Sequence, residues 1–317
     1  MNSSAKGAWP TMVTPYNSDN TVDYGAVREL VRWYHENGCA GIFASCQSSE
    51  IAYLGLKDRV GLAKTVKDEA DRIAAGGGRR MTVVASGHVS DDFDEQAYEL
   101  SAVADAGVGA VILISNRLDI RNTSDDRWIS ECEKLMSRLP GSVDLGVYEC
   151  PMPYKRLMSL KMLKFCADTG RFRFMKDTCC DADEIEKRCR VLDGSRMELY
   201  NANAQTLLRS LRSGASGYCG VMCNFHPRLY AWLCENYEKE PEKAERAQSF
   251  ICMSAFTEAL AYPCTAKWHL REFEGINIGT FARSRDDRLL KRYDKDCVAY
   301  MDAAARRLIS ELTAGGT

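Results

Sequence analysis

The 317-residue sequence has no CxxC pair, only four histidines, and no uninterrupted apolar run near the roughly 18 residues that a membrane-spanning helix needs. It has no surplus of charge either: 42 basic residues face 44 acidic ones, for a net charge of −2. Each absence excludes something. Without paired cysteine spacings, and with His35, His88, His226 and His269 scattered, a metal site is not indicated. Without a basic face, nucleic acid is not an expected partner. The opening stretch MNSSAKGAWPTMVTPY lacks the apolar core of a signal peptide, so the expected location is the cytoplasm, with no membrane partner. No GxGxxG follows the first β-like run, which argues against a dinucleotide-binding sheet.

What is present is an ordinary globular composition, 45% hydrophobic and 27% charged, able to bury a sizeable core. The fourteen cysteines read as reduced, mostly buried small apolar residues. Short β-like runs alternate with amphipathic helical runs. The β-like runs fall at 7–15, 40–46, 81–86, 110–115, 144–150, 171–176, 197–202 and 216–223. Helical runs are expected at about 23–37, 57–73, 90–107, 124–139, 154–168, 181–191 and 203–213. Asp23 is placed to cap the first helix and Gly38 to stop it. Strands alternating with helices imply right-handed βαβ units and a parallel sheet. Eight units in the first 225 residues fit an α/β fold of the (β/α)8 TIM-barrel type. Residues 226–317 read as a C-terminal helical extension packed with the barrel. Its last helix is expected at 286–312, with Leu289, Tyr293, Cys297, Met301, Ala305 and Ile309 as its stripe.

In such a barrel the site lies at the C-terminal ends of the strands. There stand Cys46-Gln47-Ser48-Ser49-Glu50, Ser115-Asn116-Arg117, Tyr148-Glu149-Cys150-Pro151, Lys176-Asp177-Thr178, Asn201 and Asn203, and Cys219 through Asn224. Lys176 closes the run RFRFMK behind Phe172, Phe174 and Met175. An ammonium among apolar walls is poorly solvated, which favours the neutral amine, a nucleophile toward a carbonyl. Tyr148 ends the preceding strand, where a phenol can relay protons. Ser48 and Ser49, with nearby N–H groups, can hold a carboxylate. Asp177 reads as a positioning residue, and His88 as a polar loop residue.

This constellation resembles the dihydrodipicolinate synthase/N-acetylneuraminate lyase family, the class I pyruvate aldolases. The resemblance begins at WPTMVTPYNSDNTVD, 9–23, and runs over nearly the whole chain. The family's tyrosine lies in a Y-x-x-P turn, matched by YECP with Tyr148 and Pro151. Its Schiff-base lysine follows 28 residues later, where Lys176 stands in FMKDT. SGASGYCGVMCNFHP, 213–227, resembles its final Gly-rich strand and loop.

The departures bear on the substrate. The family's G-[ST]-T-G-E loop reads CQSSE here, with Gln47 and Ser48 at the two hydroxyl positions and Glu50 retained. The tyrosine pair of the synthases is replaced by Asn116 and Arg117. The arginine that grips their aldehyde substrate is replaced by Pro153. The acidic pair of the sialic acid lyases is replaced by NANAQT. The resemblance therefore implies a Schiff-base lyase or aldolase acting on pyruvate or a related 2-oxo acid, by aldol cleavage, aldol addition or dehydration. Lys176 and Tyr148 would be catalytic. Gln47, Ser48, Ser49, Arg117, Asn201 and Cys219 would bind substrate. Neither cofactor nor metal is implied, and a homotetramer or homodimer is. The alternative is a non-catalytic or repurposed barrel that binds a 2-oxo acid or an amino acid.

Overall fold

The computed structural model describes residues 6–314, so residues 1–5 and 315–317, at the outer ends of the expected ranges 1–225 and 226–317, lie outside the described residues. Eight strands pair in parallel: β1 (Gly7–Pro10), β2 (Gly41–Phe43), β3 (Thr82–Ser86), β4 (Ala110–Ile114), β5 (Leu145–Tyr148), β6 (Phe172–Asp177), β7 (Glu198–Asn201) and β8 (Gly217–Gly220). Their order runs from β2 through β8 to β1, and the Thr11–Phe43 bridge closes the sheet on itself. The fold is a (β/α)8 barrel with a C-terminal helical region.

Helices α1 (Tyr24–Glu36), α2 (Leu56–Ala75), α3 (Phe93–Ala104), α4 (Asp125–Arg138), α5 (Leu160–Asp168), α6 (Ala182–Leu192), α7 (Leu207–Arg212) and α8 (Pro227–Asn236) follow the eight strands in turn. Asp23 caps α1 as expected, accepting from the N–H groups of Gly25 and Ala26 at 2.9 and 3.0 Å. Because α8 packs on β1 and β8, the region from residue 226 onward is continuous with the barrel wall. Three more helices complete it: α9 (Pro241–Ser254), α10 (Cys264–Glu274) and α11 (Arg292–Thr313).

Some expected helices are shorter than their apolar pattern. Residues 154–159 form a loop, because the Arg156 guanidinium is held by Asp119 and by the Ser124 carbonyl before Ser159 caps α5. Residues 203–206 form a turn, because the Asn203 side chain accepts from the Thr206 N–H at 3.0 Å. The last helix starts at Arg292 rather than 286, after the 3-10 turn Asp287–Leu289. Its expected stripe is also rotated: Met301 and Ala305 are buried, whereas Leu289 and Tyr293 face solvent.

Two apolar layers result. Outward strand residues such as Val83, Leu113, Val147, Met175 and Leu199 pack under the helices. Inward residues Trp9, Phe43, Val84, Ile112, Phe174, Tyr200 and Cys219 fill the lumen. The Trp9 ring lies 5.2 Å from Phe174 and 5.0 Å from Tyr200, and the last two stack at 4.7 Å. Glycines make room for this plug. A Cβ on Gly41 would sit 2.5 Å from the Trp9 ring, and one on Gly146 would sit 2.4 Å from Ile112. The plug is the floor above which the strand ends open. Replacing Trp9 with alanine is expected to cost about 3–5 kcal/mol of stability, to be read from denaturant unfolding.

Candidate active site

One irregularity decides what β6 presents. β5 and β6 pair Leu145 with Phe172 and then Gly146 with Phe174, so Arg173 is an extra residue. Simple alternation puts Phe172, Phe174 and Lys176 on one face. The bulge instead turns Phe172 toward the helices, while Phe174 lies in the lumen. Lys176 stands two residues beyond Phe174 and directly beside Tyr148 of β5.

Lys176 is 5% exposed, and its Nζ lies 4.3 Å from the centre of the Tyr148 ring and 6.0 Å from that of Phe43. It makes no hydrogen bond or ion pair among the described residues. The Tyr148 hydroxyl donates to Gln47 Oε1 at 3.4 Å. Burial, followed by the thiols of Cys150 and Cys46, holds the Tyr148 phenol well above its ordinary value. The same burial raises the Cys150 thiol and pushes Cys219 up to about 12, against the pull of the Lys176 charge. These thiols are neutral lining, not nucleophiles.

The two serines of the loop after β2 part company. Ser49 is sealed, donating to the carbonyls of Met12 and Ala44 at 2.8 Å and accepting from the Cys46 N–H at 3.1 Å. It builds the loop and has no hydroxyl proton left to offer. Ser48 donates to Thr11 Oγ1 at 3.0 Å. Thr11 leaves β1 beside that loop; the sequence reading missed it because its position depends on how β1 closes against β2.

Glu50 ties the same loop to the C-terminal region. It accepts from the Ser284 N–H at 2.6 Å and pairs with the fully buried Lys267 at 3.4 Å. Lys267 also donates to the Phe281 carbonyl at 2.6 Å and lies 4.6 Å from the Tyr16 ring. Burial pulls the Lys267 ammonium down, and the Glu50 charge opposes that.

The other expected residues are engaged elsewhere. Arg117 pairs with Asp91 at 2.6 Å in a separate cleft shared with Phe93, Arg121 and Arg127. Asn116 donates to the carbonyls of Cys150 and Met152 at 2.8 and 3.0 Å and to that of Tyr154, stapling the loop after β4 to the loop after β5. Asn201 is consumed by Thr206, Ser210 and the Asn203 N–H, so it shapes the loop after β7. His88 accepts from the Ile114 N–H at 2.6 Å, which places its proton on Nδ1 toward Gln96. Burial drives its imidazolium down to about 4.

Two groups at the mouth were not singled out in the sequence. Lys155 donates to the Thr178 carbonyl at 2.6 Å. Glu258 stands on the short 3-10 turn Ala255–Ala259, which packs on the turn after β8. It makes no hydrogen bond or ion pair among the described residues. The side chain is exposed, yet partial desolvation by the surrounding loops raises its carboxyl, and the Lys176 charge opposes this. No local pattern marks it, since it lies far along the chain from any strand end. Among the described residues, one group has metal-ligand spacing: His269, Glu274 and Asp302. The Arg306 guanidinium already fills it, at 2.7 Å from Asp302 and 2.5 Å from Glu274.

Comparison with known proteins agrees with the barrel fold. Residues 4–84 match the model of the dihydrodipicolinate synthetase family. The 4-hydroxy-tetrahydrodipicolinate synthase of Clostridium tetani is 23% identical over 282 residues, covering 86% of this chain and 89% of that protein. Among solved structures, the sialic acid aldolase of Ruminococcus gnavus, as its catalytic lysine mutant, superposes with a TM-score of 0.82 at 16% identity, covering 98% of both chains. The dihydrodipicolinate synthase of Acinetobacter baumannii in complex with pyruvate gives 0.80 at 19% identity, covering 95% of this chain and 99% of that one.

The Glu50–Lys267 pair supplies a direct test of how the loop after β2 is held. Removing one partner of a buried pair leaves the other charge uncompensated. Lys267→Met is therefore expected to destabilise the protein by about 3–5 kcal/mol in urea unfolding, whereas the double variant with Glu50→Gln recovers part of the loss.

Proposed function

We propose that the chain is a divergent member of the dihydrodipicolinate synthetase family and a class I aldolase-type lyase that uses Lys176 to form an imine with pyruvate or a related 2-oxo acid. The observation that carries this reading is the buried Lys176 amine. It lacks a hydrogen-bonding partner and lies against the Tyr148 ring at the C-terminal end of the barrel. A structural lysine at such a place is ordinarily paired, as Lys267 is.

Lys176 Nζ adds to the C2 carbonyl, and loss of water leaves the protonated imine. Its nitrogen then draws the electron pair released when the C3–C4 bond breaks, or delivers that pair when the bond forms or a β-hydroxyl leaves. Tyr148 Oη passes the proton, and its high pKa keeps it protonated until a substrate oxygen takes that proton. Ser48 and Thr11 hold the carboxylate. Gln47 orients the phenol that donates to it. Ser49, Asn201 and Arg117 act through the loops they build. The amine supplies the electrophilic catalysis, so this reading calls on no cofactor. A cytoplasmic homo-oligomer belongs to the same proposal.

Borohydride reduction in the presence of pyruvate tests the imine. A mass increase on the Lys176 peptide is expected, and it disappears in a folded Lys176→Ala variant. Binding of 2-oxo acids with no adduct across a panel would leave the binding-module alternative standing. Tyr148→Phe is expected to slow turnover by roughly 10²–10⁴-fold while the adduct still forms.

Glu258 sets the charge seen by the second substrate. An ionised carboxylate at this exposed position disfavours an aldehyde with an anionic tail by up to about 1 kcal/mol after solvent screening. At pH 8, Glu258→Gln is expected to raise kcat/KM for an anionic aldehyde about threefold and to leave a neutral one unchanged.

A further inference from the structure

Tyr148 and Lys176 face the lumen, so the residue after each turns outward to the helix layer. Those residues are Glu149 and Asp177, and both are fully buried. A single guanidinium reaches both. Arg188 of α6, itself 1% exposed, donates through Nη1 to Glu149 at 2.9 Å and to Asp177, and through Nη2 to the Met158 carbonyl at 2.8 Å. Glu149 Oε1 also accepts from the Met158 N–H at 2.7 Å, and Oε2 from the Thr178 N–H at 2.7 Å. The Glu149 carbonyl accepts from Thr178 Oγ1 at 2.8 Å, and Asp177 accepts from the Cys179 N–H at 2.8 Å. The struts to Thr178 and Cys179 end on the backbone that follows Lys176, and those to Met158 tie the cluster to the loop that leads from β5 to α5.

We propose that Arg188, Glu149 and Asp177 form an ionisable clamp that positions Lys176 against Tyr148 from outside the barrel, and that ionisation of Glu149 tightens it. This deepens the imine reading of the site and rests on it. Two carboxylates share one guanidinium, so one negative charge is uncompensated. No other cation bonds to the two carboxylates: Glu184 stands 3.7 Å from Arg188 on α6, the Lys155 ammonium is spent on the Thr178 carbonyl, and Cys179 and Cys189 are thiols that the Asp177 charge raises further. Burial first, and the Asp177 charge second, push the Glu149 carboxyl up to about 7, against Arg188 and the two N–H donors.

The bond set fixes the sign. All three partners of the Glu149 carboxylate are donors, so the observed geometry is that of the ionised form. A proton on Glu149 removes the charge that strengthens all three bonds and so loosens them. The clamp is tight above about 7 and slack below it. Stability runs the other way. A carboxyl whose folded pKa exceeds its unfolded value binds its proton in the native state first, so its contribution falls as pH rises from the unfolded value of 4.5 through about 7. A role confined to holding the fold would make Lys176 reactivity follow stability, whereas a positioning role makes the two diverge across that window.

The test is the rate of Lys176 acetylation by acetic anhydride between pH 5.5 and 8.5, followed by mass spectrometry on the full chain, with unfolding midpoints over the same range. The wild type is expected to show an inflection near pH 7 that Glu149→Gln lacks. Arg188→Gln is expected to lower the Lys176 rate several-fold throughout. Should Arg188→Gln fail to fold, Glu149→Gln carries the test, because it leaves one carboxylate opposite one guanidinium. Profiles for wild type and Glu149→Gln that superpose would overturn the clamp. Borohydride trapping with pyruvate separates the two claims. An inflection without an adduct removes the imine reading and leaves the clamp, and an adduct with superposed profiles does the reverse.

Discussion

The pairing of β5 with β6 is the constraint on which the rest of the site depends. Tyr148 and Lys176 are opposite one another because two strands run in parallel with a single extra residue, Arg173, between Phe172 and Phe174. Side chains in a strand alternate, so one inserted residue exchanges the faces of everything beyond it. Without the bulge, and with Phe172 held under the helices, Lys176 would point away from the lumen. With it, the amine enters a space floored by Trp9, Phe174 and Tyr200 and walled by Phe43 and Tyr148.

The same alternation makes a second, outer face out of the residues that follow Tyr148 and Lys176. Glu149 and Asp177 cannot reach water, and Arg188 is their shared cation. A buried ion cluster of this kind is weak support for stability, since desolvation offsets most of the attraction. Its value lies in geometry, because directional bonds to Met158, Thr178 and Cys179 hold two strand ends more tightly than apolar packing would. Glu50 and Lys267 repeat the device at the loop after β2, where they couple it to the segment that carries Phe281 and Ser284. The C-terminal region thus reaches the strand ends twice, through Lys267 at the loop after β2 and through the turn of Glu258 beside the end of β8.

The altered family positions acquire physical content here. Gln47 receives the Tyr148 proton but is a poor relay for it, since an amide does not titrate. Asn116 spends its donors on three carbonyls of the neighbouring loop, so it closes that loop instead of entering the chemistry. Arg117 is neutralised by Asp91. The exposed Glu258 carboxylate, on the turn that packs beside the end of β8, is the acidic group whose field Lys176 opposes.

Local pattern determined a good deal of this protein. Helix periodicity, the cap at Asp23 and the eight alternating units specified the barrel, because each depends on neighbours within a turn or a strand. The spacing from Tyr148 to Lys176 marked the two groups that the fold places side by side. Only the tertiary structure decided where each hydroxyl is spent. Ser48 and Ser49 are adjacent and chemically alike, yet closure of β1 on β2 seals one and leaves the other beside Thr11. It decided likewise that Leu289 and Tyr293 face solvent, because the helix that carries them is phased by what packs beneath it. Thr11, Arg188, Lys267 and Glu258 are ordinary residues in their own segments. Their roles arise from contacts with distant parts of the chain, which no short-range pattern encodes.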